Sequence, residues 1–135
     1  DYLAQGSIYS IISLMHSEQS IAGASSYPMA VFFKKKHAEC GANYLTNSIK
    51  IINKKKKNLF NEIILNLYKN KLIKKATVGS LISELEFYFK YFNINQVDFD
   101  SDQKLLLVNK IYEMKMLDFS PVKFNKRDII KFLNK

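Results

Sequence analysis

Apolar residues recur along this chain at the spacing of helices and hardly anywhere at that of strands. Ile8, Ile11, Ile12 and Met15 stand at i, i+3, i+4 and i+7, which predicts an amphipathic helix over roughly 2–16. From Tyr2 to Phe33 there is no lysine, in a chain otherwise rich in it, so this helix is expected to be buried with Ile8 and Ile12 inward. Ser17 to Ser26, small and polar, reads as its connection. Ser26 and Pro28 then form a start signal, a cap residue followed by a proline suited to a first turn. Phe33, His37, Cys40, Tyr44, Ser48 and Ile52 advance by fours and threes and predict one long helix over about 28–53, with Leu45 and Ile49 widening the stripe.

Beyond it, Lys54 to Lys57 is a run of like charge expected in a solvated turn, and Asn58 can cap a helix carrying Phe60, Ile63, Ile64 and Leu67 to near Lys71. Leu72 to Gly79 has no decided pattern. A further helix over about 80–92 follows from Leu81, Ile82, Leu85, Phe89 and Phe92. Val97 and Phe99 alternate around Asp98 as in a short extended piece. Ser101 or Asp102 caps a helix over about 102–117, and Asn125 with Asp128 three residues later gives a capping-box start for a short terminal helix. Helices without repeats or a strand-rich region predict an all-α fold, a compact bundle of about six helices in a single domain spanning 1–135.

Charge changes the picture by being local. The chain carries +9, yet the segment 34–75 holds twelve lysines against only Glu39 and Glu62. These lysines are Lys34, Lys35, Lys36, Lys50, Lys54, Lys55, Lys56, Lys57, Lys69, Lys71, Lys74 and Lys75, and they are the candidate partner-binding residues. Two observations temper the excess. Phe, Tyr, Met, Ile, Asn and Lys make up about half of the chain, the signature of A/T-rich codons. Arg127 is the only arginine, and arginine is the usual bidentate reader of guanine edges and phosphates, so sequence-specific nucleic-acid readout is disfavoured. Nonspecific contact of lysines with RNA or DNA phosphates stays open. Membrane insertion is not expected, because a span needs about 20 apolar residues and 2–33 is interrupted at its middle by His16-Ser17-Glu18-Gln19-Ser20.

Catalytic and metal signatures are thin. His37 and Cys40, three apart on a helix, could offer two zinc ligands, but the apolar stripe they fall on favours a structural thiol and histidine, and no second cysteine exists. Asp98, Asp100 and Asp102 have the spacing that begins a calcium loop, but Gln103 stands where the turn needs glycine, and helix capping accounts for the acids. No cofactor and no enzymatic activity are expected. Tyr88, Phe89, Tyr91 and Phe92 beside Lys90 could stack bases, while helical spacing favours Phe89 and Phe92 in the core with the tyrosines at its margin.

The run Pro28-Met-Ala-Val-Phe-Phe-Lys-Lys-Lys-His-Ala-Glu-Cys40 resembles the start of the second helix of ferritins, and Asn53 with its lysines resembles that helix's end. The resemblance covers about a third of the chain. It departs after Glu39, where Cys40, Gly41, Ala42 and Asn43 replace the Glu-x-x-His that would bind iron, so it implies at most a non-catalytic shell subunit. The leading expectation is a non-enzymatic interaction protein or assembly subunit that docks an acidic protein surface through 34–75. A module binding RNA or DNA phosphate is the alternative.

Overall fold

The computed structural model describes residues 2–16 and 20–134, with the side chains at 3, 10, 11, 13–16, 116 and 119 left aside. Within them the fold is all-α: seven α-helices, one 3-10 turn and no strand. The helices are α1 (Tyr2–His16), α2 (Ile21–Phe33), α3 (His37–Lys55), α4 (Asn61–Lys69), α5 (Val78–Tyr91), α6 (Ser101–Tyr112) and α7 (Lys126–Leu133), with the 3-10 turn at Lys115–Phe119.

The core is built by α2, α3, α6 and α7 together with the extended piece 94–100. The predicted stripe of α3 holds from Cys40 onward, with Cys40, Tyr44, Ser48 and Ile52 all buried, but His37 at the start of the helix is exposed. Tyr44 sits at the centre of an aromatic chain, its ring 5.2 Å from Phe132 of α7 and 6.5 Å from Phe99, which in turn lies 5.2 Å from Phe33. Burial, with Asp98 and Cys40 adding to it, pushes the Tyr44 hydroxyl above its ordinary pKa. Leu107, Val108 and Ile111 of α6 and Ile129, Phe132 and Leu133 of α7 complete the cluster. Val97 and Phe99 point inward and Asp98 outward, as their alternation predicts.

In the N-terminal half the structure corrects the sequence reading at three places. Residues 21–26, expected in a connection, are the first half of α2, where Ile21, Ala22, Ala24, Ser25 and Ser26 are buried. Their small size lets the helix press closely onto α3. The two buried hydroxyls are satisfied internally: Ser25 Oγ donates to the Ala22 carbonyl at 3.0 Å and Ser26 Oγ to the Gly23 carbonyl at 2.7 Å. Pro28 therefore stands inside a helix rather than at its first turn.

The second correction concerns the single helix expected over 28–53. It is broken at Lys34–Lys36, where Lys34 turns left-handed (φ 51°, ψ 34°) and Lys36 is extended. The run that resembles a ferritin helix is thus divided between two helices. The third concerns α1. A helix forms where expected, but every described side chain on it is exposed, Ile8 by 57% and Ile12 by 47%. Ile11 and Met15, the rest of its stripe, have side chains outside the described residues. Freedom from lysine marks an uncharged helix here, not a buried one.

Helix ends follow local chemistry. Asn125 and Asp128 form the predicted capping box at α7. At α6 the cap is Asp100, one residue before the expected position, and Gln103 completes a second capping box. Thr77 caps α5 by accepting from Ser80 N–H at 3.1 Å. α4 begins after Phe60 with no side-chain cap; Asn58 instead accepts from the Asn61 side chain. α6 stops at Tyr112 rather than near 117, and the chain continues in the 3-10 turn.

Candidate functional site

All twelve lysines of 34–75 are exposed, and the helices sort them into groups. Lys34, Lys35 and Lys36 occupy the turn between α2 and α3. Lys50, Lys54 and Lys55 lie on the last half of α3, and Lys56 and Lys57 follow directly. Lys69, Lys71, Lys74 and Lys75 end α4 and line the connection to α5, with Lys71 left-handed at φ 59°. A 19-residue helix is about 28 Å long. The 34–36 and 54–57 groups therefore stand at opposite ends of α3, and the segment is not one continuous charged patch.

Three of the twelve are engaged within the chain. Lys36 pairs with Glu39 at 3.4 Å and Lys50 with Glu86 at 3.8 Å, both at exposed lysines. Lys55 is different. Its Nζ lies 2.8 Å from Asp128 Oδ2, donates to the Lys123 carbonyl at 3.0 Å and sits 5.9 Å from the centre of the Phe124 ring. Burial alone would raise the Asp128 carboxyl, but the Asn125 N–H and the Lys55 ammonium outweigh it and hold the group below its usual range. Lys55 thus ties α3 to the start of α7, a structural role for one residue of the expected solvated turn. The other nine lysines form no ion pair among the described residues.

Two concave regions adjoin these groups. One, of about 540 Å³, is lined by Tyr68, Lys69, Lys71, Leu72, Ile73, Lys74 and Glu84, and so joins the third lysine group to the first half of α5. The other, of about 620 Å³, lies between α3, α5 and the extended piece, with Asn43, Thr46, Glu86, Phe89, Lys90 and Asn93–Gln96 around it. Part of its wall is a clamp. Asn43 Nδ2 donates to the Asn95 carbonyl at 2.7 Å while its Oδ1 accepts from Val97 N–H at 3.1 Å. Asn95 Nδ2 donates in turn to Glu39 Oε1 at 2.8 Å, and this bond, helped by Lys36, lowers the Glu39 carboxyl pKa against a smaller opposing effect of burial.

α5 departs from expectation. Phe89 is half-buried on the side facing α3, but Phe92 is 65% exposed, and Phe87, Tyr88 and Tyr91 stand out beside it at 58%, 44% and 71%. The four rings touch one another, with centroids 5.1 to 6.3 Å apart. Helical spacing predicts Phe92 in the core, but α5 carries a second apolar face, and Phe92 stands with the exposed rings at its end.

The remaining candidates stand apart from one another in the fold. Cys40 is fully buried in the core. His37, at the first residue of α3, is exposed, with its ring 4.6 Å from Tyr27 and its Nε2 3.4 Å from Ser26 Oγ. The side chain of His16 lies outside the described residues. Asp100 is engaged as the α6 cap. Among the described residues no three His, Cys, Asp or Glu side chains gather as a metal site would need, and no helix is long and apolar enough to cross a membrane. Comparison of the chain with protein-family models, with curated proteins and with solved structures finds no match.

Proposed function

We propose that this chain is a non-enzymatic helical interaction protein, a subunit that docks an acidic surface of a partner protein through the lysines of 34–75. The observation that supports the reading is that nine of the twelve are exposed and form no ion pair among the described residues. Within each group the chain holds them close enough to repel one another, and a partner's carboxylates relieve that repulsion. Lys55, committed to Asp128, is excluded from the contact set.

The test uses poly-glutamate as an acidic probe and poly(U) as a phosphate probe. The parent chain should bind poly-glutamate with an affinity that falls as salt rises, because screening shortens to about 10 Å at 0.1 M. Replacing Lys54, Lys56 and Lys57 by Gln, with Lys55 retained, should weaken binding and leave the fold intact. An affinity unchanged by the triple substitution or by salt sinks the reading. Tighter binding to poly(U), or nucleic acid co-purifying as a raised 260/280 nm absorbance ratio, transfers the function to phosphate binding.

A further inference from the structure

We infer that the exposed face of α5 is a docking ridge for an acidic amphipathic helix of the partner. Glu84, Phe87, Tyr88 and Tyr91 stand at i, i+3, i+4 and i+7, so they share one face of α5, and Phe92 closes its end. The neighbouring face, with Leu81, Leu85 and Phe89, is already half-buried. α5 is therefore apolar on two sides and uses only one. A buried aromatic side chain covers about 150–250 Å², so four rings roughly 60% exposed offer on the order of 450 Å², the size of a monomer's largest apolar patch, which is often functional. A stable interface takes about 800 Å² per partner, and the adjoining groove with Lys69, Lys71 and Lys74 supplies a basic margin at the Glu84 end.

Three features choose the occupant. The ridge from Glu84 to Phe92 is about 12 Å long, two turns of helix, which matches anchors presented at i, i+4 and i+7 by a crossing helix. A net charge of +9 opposes a second copy of this chain and favours acidic flanks on whatever covers the rings. The rings also adjoin one another: Phe87 and Tyr91, and Tyr88 and Phe92, have planes 23° and 20° apart and centroids 6.2 and 6.3 Å apart, so the ridge is continuous along both turns, as a helix laid across it needs.

This inference rests on the reading of the chain as an interaction protein, and its test separates the two. The probe is a synthetic 21-residue helix with leucines at a, d and e positions and glutamate elsewhere, compared with a twin in which lysine replaces glutamate and with poly(U). Binding is followed by fluorescence anisotropy on the full chain. The glutamate peptide should bind, and the lysine twin should bind at least tenfold more weakly. Phe87→Ser with Tyr91→Ser should weaken the glutamate peptide at least tenfold, while poly-glutamate binding is unchanged. Glu84→Lys, which extends the basic margin, should tighten the peptide several-fold and guards against a misfolded double variant. Peptide affinity insensitive to the ring substitutions and to Glu84→Lys overturns the ridge while leaving the lysine reading intact. Ring-dependent binding of poly(U) instead overturns the helix as occupant, and loss of poly-glutamate binding in the parent removes the reading beneath both.

Discussion

Replacing Asn43 by alanine should detach the extended piece 94–100 from α3. One side chain there makes two of the long-range hydrogen bonds, donating to the Asn95 carbonyl at 2.7 Å and accepting from Val97 N–H at 3.1 Å, a third being that of Asn95 to Glu39. A net hydrogen bond contributes about 0.5–1.5 kcal/mol, and a buried group left unpaired costs about 1–3 kcal/mol. The Asn95 carbonyl is at the surface, where water replaces the lost donor, so its share is near the low end. Val97 is only 3% exposed and its N–H is partly buried, so its share is nearer the full penalty. The sum is about 2–3 kcal/mol, measured as a lowered urea midpoint at unchanged slope.

Hydrogen exchange makes the reasoning sharper. Asn43→Ala should abolish protection of the Val97 amide. Asn43→Asp keeps an acceptor for that amide while losing the donations to the Asn95 carbonyl at 2.7 Å and the Glu39 carbonyl at 2.9 Å and bringing a carboxylate toward Glu39, so it should destabilise the chain and still protect Val97. Equal protection of Val97 in the parent and the alanine variant would refute the clamp.

Further outcomes follow from burial and charge. Phe132→Ala, in a fully buried site against Tyr44, should cost about 3–5 kcal/mol, whereas Ile12→Ala on exposed α1 should stay within about 0.5 kcal/mol; chemical denaturation reads both. Cys40→Ser puts a hydroxyl in a fully buried site and should cost about 1–3 kcal/mol, with metal content by elemental analysis the same in both proteins. Asp128 has a folded pKa below its ordinary value, so its stabilisation is complete above the usual aspartate range near 3.9 and is lost as pH falls through the lowered folded value. The parent's stability should therefore drop in acid more steeply than that of Asp128→Asn, and parallel pH profiles would remove the Lys55 tie.

What was legible in the sequence was what is decided within a few residues. The Asn125 capping box, the inward pair Val97 and Phe99, and the stripe from Cys40 to Ile52 each depend on spacing alone. α2 escaped because its contact face is made of Ala and Ser, whose smallness serves close packing yet looks like a loop to any count of large apolar residues. The break at Lys34–Lys36 escaped because the stripes on either side of it happen to stay in phase, from Phe33 to His37. Asn43 and Lys55 gave no sign at all. Their partners lie 52 to 73 residues away, at Asn95, Val97 and Asp128, and nothing local distinguishes them from neighbouring asparagines and lysines.

The lysines admit a local explanation that accounts for only part of them. A helix C-terminus carries partial negative charge, and a cation in its last turn gains about 0.3–1 kcal/mol. Lys54 and Lys55 on α3, Lys69 on α4, Lys90 on α5, Lys110 on α6 and Lys131 on α7 all occupy that position. Lys34, as the C-cap of α2, joins them. The effect fades beyond the last turn, however, and Lys35, Lys57, Lys71, Lys74 and Lys75 stand past it with no ion pair among the described residues. Residues 2–33 hold no lysine, while Lys104, Lys110, Lys115, Lys123, Lys126 and Lys131 lie in the C-terminal half, whose acids nearly balance them. Lysines without an ion pair are densest at the ends of α3 and at the groove beside the rings of α5, and under the reading proposed above it is there, beyond the reach of the helix dipoles, that an acidic partner would find charge to neutralise.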